Sequence, residues 1–195
     1  MSLKQILFRS SILILSILFI WLGYRAYILY YKYSWGEKID SLDGVEVYYN
    51  GKISTSNGRT VIDGYNVGLK YQCVEFVKRY YLQHYHHRMP NSYGHAKDFF
   101  QLGLKDGAFN KSRGLNQYTN PSKLKPQKGD LIVMGAGKEK YGHVVIVSKV
   151  GTNYIEIIQQ NTGIISRTRA TYDLLQIDGK YKVSSSRING WLRKQ

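Results

Sequence analysis

The run HVVIVSKVGTNYIEIIQQN, residues 143–161, decides the fold. Two stretches dense in β-branched residues flank a three-residue GTN connection, a pattern that predicts an antiparallel hairpin turning near Thr152. In such a hairpin the numbers of facing residues sum to about 304. His143 then stands opposite Asn161 and, on the same face, diagonal to Gln159, at cross-strand distances of about 5 to 8 Å. A one-residue slip would send these side chains to the other face. A polar ring at the head of an apolar strand, directly after Gly142, calls for a use. The hairpin supplies two amide side chains, Gln159 and Asn161, positioned to hold that ring.

Working outward, GDLIVMG (129–135), TGIISRTRATY (162–172) and INGWLR (188–193) are further β-rich runs separated by glycine, asparagine or charge. Upstream, VEVYYN (45–50) predicts a strand, and NGKISTSNGR (50–59) a polar, turn-rich stretch. A helical patch is expected around Ala96 to Leu104, after the turn MPNSYG, and residues 105–125 read as a basic loop. Helix first and sheet after indicates an α+β domain, helices packed on an antiparallel sheet.

The helix carries the chemistry. In GLKYQCVEFVKRYY (68–81), Val74, Phe76, Val77, Tyr80 and Tyr81 recur at helical spacing, with Glu75, Lys78 and Arg79 expected on the other side. Cys73, the only cysteine, falls in the first turn, where unpaired N–H groups and a partial positive charge favour a thiolate. On this window alone a packed, unreactive cysteine stands beside the nucleophile reading. One cysteine excludes an intrachain disulfide and a zinc site built from cysteines. A nucleophile needs a base, usually histidine, oriented by a third group. His84, His86 and His87 lie toward the end of the same helix, at least about 16 Å along the axis, and cannot serve. His95 follows a turn and stays open; His143 is the stronger choice. HYHH (84–87) reads as a solvated helix end.

The chain has 195 residues, 28 Lys and Arg against 13 Asp and Glu, and a net charge of +15. Such a surface seeks polyanions. Arginine-rich helices, zinc-finger spacing and aromatic RNA-binding signatures are lacking, so specific nucleic-acid recognition is not expected. Residues 10–24, SSILILSILFIWLGY, form an uncharged, mostly apolar run that AYILYY extends beyond Arg25. Fifteen helical residues span about 22 Å. Continuing to Tyr31 reaches the roughly 30 Å of a hydrocarbon core, with Arg25 snorkelling and Trp21, Tyr24, Tyr27, Tyr30 and Tyr31 as an aromatic belt. A cleaved signal peptide is the alternative, but no small-x-small site follows Leu22. The expected organisation is a signal anchor over 1–31, a linker over 32–42 and one domain over 43–195, on the outer face of a bacterial cytoplasmic membrane and taken as a monomer.

In that order and spacing, YQCVEFVKRYY, LKPQKGDLIVM, YGHVVIVSKV and IIQQN resemble the CHAP family of cysteine- and histidine-dependent amidohydrolases and peptidases, related to papain-like and NlpC/P60 folds. The similarity runs from about Gly44 to Leu192. The motifs around the cysteine and the QN pair are most similar to the amidase domains of bacterial glutathionylspermidine synthetase/amidases. The resemblance implies a papain-like fold with Cys73 as nucleophile, His143 as base and Gln159 and Asn161 as its supports. It also implies the Cys73 N–H as an oxyanion donor, with the Gln72 side chain or Tyr71 hydroxyl as another. His95, in SYGHAKDF, matches a segment that lines the cleft in relatives, and with Tyr65 is a substrate-binding candidate. The family usually places Glu where Gln159 stands. A neutral amide orients the ring but leaves an imidazolium less stabilised.

Some CHAP domains bind calcium just before the cysteine, but here only Asp63 is present, so no metal and no organic cofactor is expected. The function this implies is a membrane-anchored cysteine amidase or endopeptidase acting on peptidoglycan peptides or another anionic envelope polymer. The alternatives are a glutathionylspermidine-type amidase acting on a small γ-glutamyl or polyamine conjugate, and a catalytically weak wall-binding module.

Overall fold

The computed structural model describes residues 3–30, 32–137 and 140–195, and the side chains of all of these but 29 and 30. Two compact units divide the chain at Ser34 and Trp35. The first is dominated by helix α1, Leu3–Tyr30. Its segment Leu3–Ile28, which holds an 18-residue window of mean hydropathy 2.2, is long and apolar enough to cross a membrane. The hydroxyls of Ser11 and Ser16 donate to the carbonyls of Phe8 and Ile12, so these polar atoms are satisfied within the helix. The guanidinium of Arg25 lies 5.6 Å from the Trp21 ring. Tyr31 and the side chain of Tyr30, both assigned above to the aromatic belt, lie outside the described residues.

The second unit is α+β. It opens with β1 (Lys38–Leu42) paired to β2 (Val45–Tyr48), so residues read as linker contribute a strand. A second hairpin, β3 (Arg59–Ile62) with β4 (Tyr65–Leu69), arises where only turns were expected. Helix α2 (Cys73–Tyr85) follows. The helical patch after it shrinks to one 3-10 turn, Ala96–Phe99, because Phe100 is already extended. The supposed loop at 105–125 holds β5 (Phe109–Asn110) and β6 (Leu115–Thr119). Then come β7 (Leu131–Met134), β8 (His143–Val150), β9 (Tyr154–Ile158), β10 (Arg169–Ile177), β11 (Lys180–Val183) and β12 (Ile188–Arg193). The last eight form one antiparallel sheet in the order β11-β10-β9-β8-β7-β12-β6-β5. The β8–β9 hairpin has the expected register at Ile146–Ile158 and Val147–Ile157, and shifts by one residue nearer the turn.

Both faces of the sheet centre are buried, which is why β7 and β8 read as unbroken apolar runs rather than alternating ones. Phe76, Val77 and Tyr81 of α2 pack with Val133, Val144 and Ile146 on one face. Ile132, Val145, Val147, Ile157 and Trp191 form the core on the other. The polar side of α2 is enclosed as well: Glu75, Lys78 and Arg79 are buried. Arg79 Nε donates to Glu75 Oε1 at 2.7 Å and its Nη1 to the Glu46 carbonyl at 2.8 Å. Lys78 Nζ donates to the carbonyls of Asn66 and Ser92, above the Tyr65 ring at 4.8 Å. Long-range partners thus take charges that helical periodicity alone would place outside. Gly68, at φ +144°, lets β4 press on α2, since a Cβ there would sit 3.1 Å from the Glu75 Cα.

Candidate active site

Cys73 is the first residue of α2, and Gln72 before it is extended, at φ −81° and ψ 161°. The sulfur therefore sits among N–H groups that have no helical acceptor. It is 8% exposed. Burial pushes the thiol up, but the charge and hydrogen bond of His143 and the backbone N–H groups of Val144 and Val74 together hold it below its ordinary value.

His143 is the first residue of β8 and stands across the base of the cleft from α2. Its Nε2 is 3.0 Å from Gln159 Oε1. An amide oxygen only accepts, so Nε2 carries a proton and Nδ1 is left for the sulfur. The amide is held in that sense because Gln159 Nε2 donates to the Arg167 carbonyl at 3.0 Å. Gly142 permits the placement: at φ +73°, a Cβ there would meet the Met134 oxygen at 2.6 Å and the Lys97 backbone nitrogen at 3.0 Å. Only glycine brings the strand start this close to the 3-10 turn, where Lys97 N–H donates to the Tyr141 carbonyl at 3.0 Å.

Asn161 takes a different place from the one expected. Its amide donates to Gln72 Oε1 and to the Ile53 carbonyl (3.1 Å), and it accepts from Asn50 Nδ2 at 2.9 Å. It therefore steadies Gln72, with a left-handed backbone at φ 65° that asparagine tolerates. Gln72 is corrected in turn. Its Nε2 donates to the carbonyls of Ile53 (3.2 Å) and Thr55 (2.7 Å), so both amide hydrogens are taken up and none is left for an oxyanion. Tyr71 is also displaced from that role: its ring packs at a tilt against Trp35 (centroids 4.7 Å apart) and Tyr48 (4.9 Å), over Gly36, outside the cleft lining. Tyr65 is buried, accepts from Met89 N–H at 3.0 Å and does not line the cleft. His95 does line it, with its ring 4.5 Å from that of Tyr141.

The cleft has a volume of about 800 Å³, with Cys73 and His143 on its floor and Ile53, Tyr93, His95 and Tyr141 about it. It is large enough for a peptide-sized guest. Among the described residues no group of three or more His, Cys, Asp or Glu is placed to hold a metal ion. Sequence reasoning missed Gln160, which accepts from Tyr48 N–H at 2.7 Å and donates to Glu75 Oε2 at 3.0 Å and the Gln72 carbonyl at 3.2 Å. The period of two was the available signal: Ile158 packs in the core on the α2 side, and two residues on, Gln160 falls on the same face. Arg59 and Lys140 were missed as cleft residues, the first because its strand was hidden in a turn-rich run.

The CHAP domain family matches residues 64–161, just over half of the chain. Trypanothione synthetase of Crithidia fasciculata is 30% identical over 107 residues, which is 54% of this chain and 16% of that protein. The bifunctional glutathionylspermidine synthetase/amidase of Escherichia coli (strain K12) is 31% identical over 106 residues, 53% of this chain and 17% of that protein. The chain thus spans less than a fifth of the length of these relatives. The crystal structure of Ly7917 is 23% identical and covers 48% of this chain and 40% of that one, with a TM-score of 0.28, too low to carry an argument.

Proposed function

The chain belongs to the CHAP domain family, and we propose that it hydrolyses amide bonds with Cys73 as nucleophile and His143 as base. The observation that carries this reading is the line Cys73–His143–Gln159, in which a buried thiol is held below its ordinary value by the ring beside it. The thiolate attacks the amide carbon and the carbonyl π electrons move to oxygen. The Cys73 N–H, at the open end of α2, is placed to donate to that oxyanion. The imidazolium gives its Nδ1 proton to the leaving nitrogen as the C–N bond breaks, leaving a thioester. Water then loses a proton to His143 as it attacks, the C–S bond breaks, and the acid and thiolate are restored. Gln159 keeps the ring turned toward the sulfur throughout.

The substrate we favour is the peptide part of peptidoglycan, reached from an N-terminal anchor. Residues 36–195 hold 24 Lys and Arg against 13 Asp and Glu, a surface suited to an anionic envelope. The similarity to glutathionylspermidine synthetase/amidase supports a second reading, hydrolysis of a small γ-glutamyl or polyamine conjugate. The two require opposite sides of the membrane. A reporter fused after Gln195 is expected to be active on the outer face; a cytoplasmic reporter would eliminate the wall substrate.

Chemistry is tested with the full chain in detergent, incubated with purified peptidoglycan and with glutathionylspermidine. New amine ends should appear in the peptidoglycan, and one equivalent of iodoacetamide should stop their release. Because the thiol is held below its ordinary value, alkylation should stay fast well below pH 8.5, where a free cysteine at about that pKa slows tenfold per unit. Hydrolysis that persists after Cys73 is alkylated would refute the mechanism. Slow, ordinary alkylation with no product from either substrate would leave a wall-binding module.

A further inference from the structure

The cleft above the sulfur is lined by two cations, Arg59 and Lys140, and among its described lining residues there is no aspartate or glutamate. Arg59 is held in a defined pose rather than left to swing. Its Nη1 donates to Asn66 Oδ1 at 2.7 Å, and Asn66, itself buried, donates from Nδ2 to the Ser92 carbonyl at 3.0 Å. Lys78 fastens the same wall from beneath through the Asn66 and Ser92 carbonyls. Among the described residues the Arg59 side chain forms no other hydrogen bond and no ion pair, so its remaining guanidinium N–H groups are available on the cleft side. The charge behind the wall has the same sign: burial first, then the nearby charges of Arg113 and Arg59, push the Lys78 amine down to about 8. A guanidinium fork with one edge anchored and the other open, in a positive field, is a receptor for a carboxylate.

We propose that Arg59 is a specificity-determining residue that binds a carboxylate of the substrate, so that the cleft selects carboxylate-bearing peptides and disfavours polycationic amine conjugates. This deepens the hydrolase reading, on which its sense as substrate selection rests. A polyamine tail entering this cleft would meet Arg59 and Lys140 with no carboxylate among the described lining residues to offset them, whereas a glutamyl carboxylate would gain two charge-assisted hydrogen bonds.

The test uses the full chain in detergent and the tripeptide L-alanyl-γ-D-glutamyl-L-lysine, with its glutamyl α-carboxylate free or amidated. Binding is measured in the Cys73→Ala background and turnover in the parent. The free acid should bind at least about 10-fold tighter than the amide, the range expected of a charged hydrogen bond. Arg59→Gln should collapse that ratio toward one, and Arg59→Lys should keep part of it. In turnover the preference should appear in KM rather than kcat. Equal affinity for the two peptides, a preference that survives Arg59→Gln, no binding of either peptide at millimolar concentration, or binding of free spermidine, which bears no carboxylate, more tightly than the free-acid peptide would each overturn the proposal. A preference in binding without hydrolysis by the parent would instead refute the enzyme mechanism and leave the carboxylate site standing.

Discussion

Cys73→Ala should abolish the proposed hydrolysis, lowering kcat by a factor on the order of 10⁴ to 10⁶, the loss seen when a covalent nucleophile is removed. The fold survives, because alanine is smaller and apolar and the pocket around residue 73 already tolerates a thiol that is 8% exposed. Two backbone donors, the N–H groups of Val74 and Val144, lose their sulfur acceptor, and Val74 lines the cleft, where water can take its place. The melting temperature should therefore move by only a few degrees while activity vanishes. Initial rates paired with thermal melts of both proteins decide it. A folded alanine variant that keeps more than a few per cent of the parental rate would mean that the sulfur is not the attacking atom.

Glu75→Ala acts in the opposite way, unfolding the protein rather than silencing it. Glu75 receives Arg79 through both of its oxygens and Gln160 at Oε2, with its side chain 2% exposed. Removing it leaves the Arg79 guanidinium buried with only the Glu46 carbonyl as hydrogen-bond acceptor, a class of change that costs about 3–5 kcal/mol. For a domain of this size that lowers Tm by about 10–15 °C. The double variant Glu75→Ala, Arg79→Met removes the stranded charge and should recover at least half of the loss. The assignment fails if calorimetry finds the single variant within about 1 kcal/mol of the parent, or the double variant no more stable than the single. Gln160 also holds the Gln72 carbonyl, so the single variant should loosen the start of α2 and reduce turnover even at temperatures where it stays folded.

The residues that were legible in the sequence are those governed by local rules. The β8–β9 register followed from a short connection and two β-branched runs, and it placed Gln159 beside the His143 ring. Cys73 at the head of a helix followed from apolar spacing alone. What escaped depends on contacts made far along the chain. The turn-rich look of residues 50–69 comes from glycine and polar residues, yet β3 and β4 form because Asn66 and Gly68 meet α2 and the 92–94 segment. Glu75, Lys78 and Arg79 look like a solvated face until Gln160, Glu46 and Ser92 arrive to satisfy them. Pairing rules place Asn161 opposite His143, as a partner for the ring. Its left-handed backbone turns the amide instead toward Gln72, and no periodicity argument contains that twist. Tyr65 and Tyr71 look like cleft aromatics in sequence, and packing against Lys78 and Trp35 claims them both.

The sulfur and the imidazole sit on separate layers, one at the first residue of α2 and the other at the first residue of β8. Until those layers dock, Cys73 has neither the ring nor the Val144 N–H to favour its anion, and it titrates as any free thiol does. A chain that has not finished folding therefore lacks the paired site. On the proposed mechanism, hydrolytic potential would arise only with the finished tertiary structure, and folding itself would serve as the safety catch of this molecule.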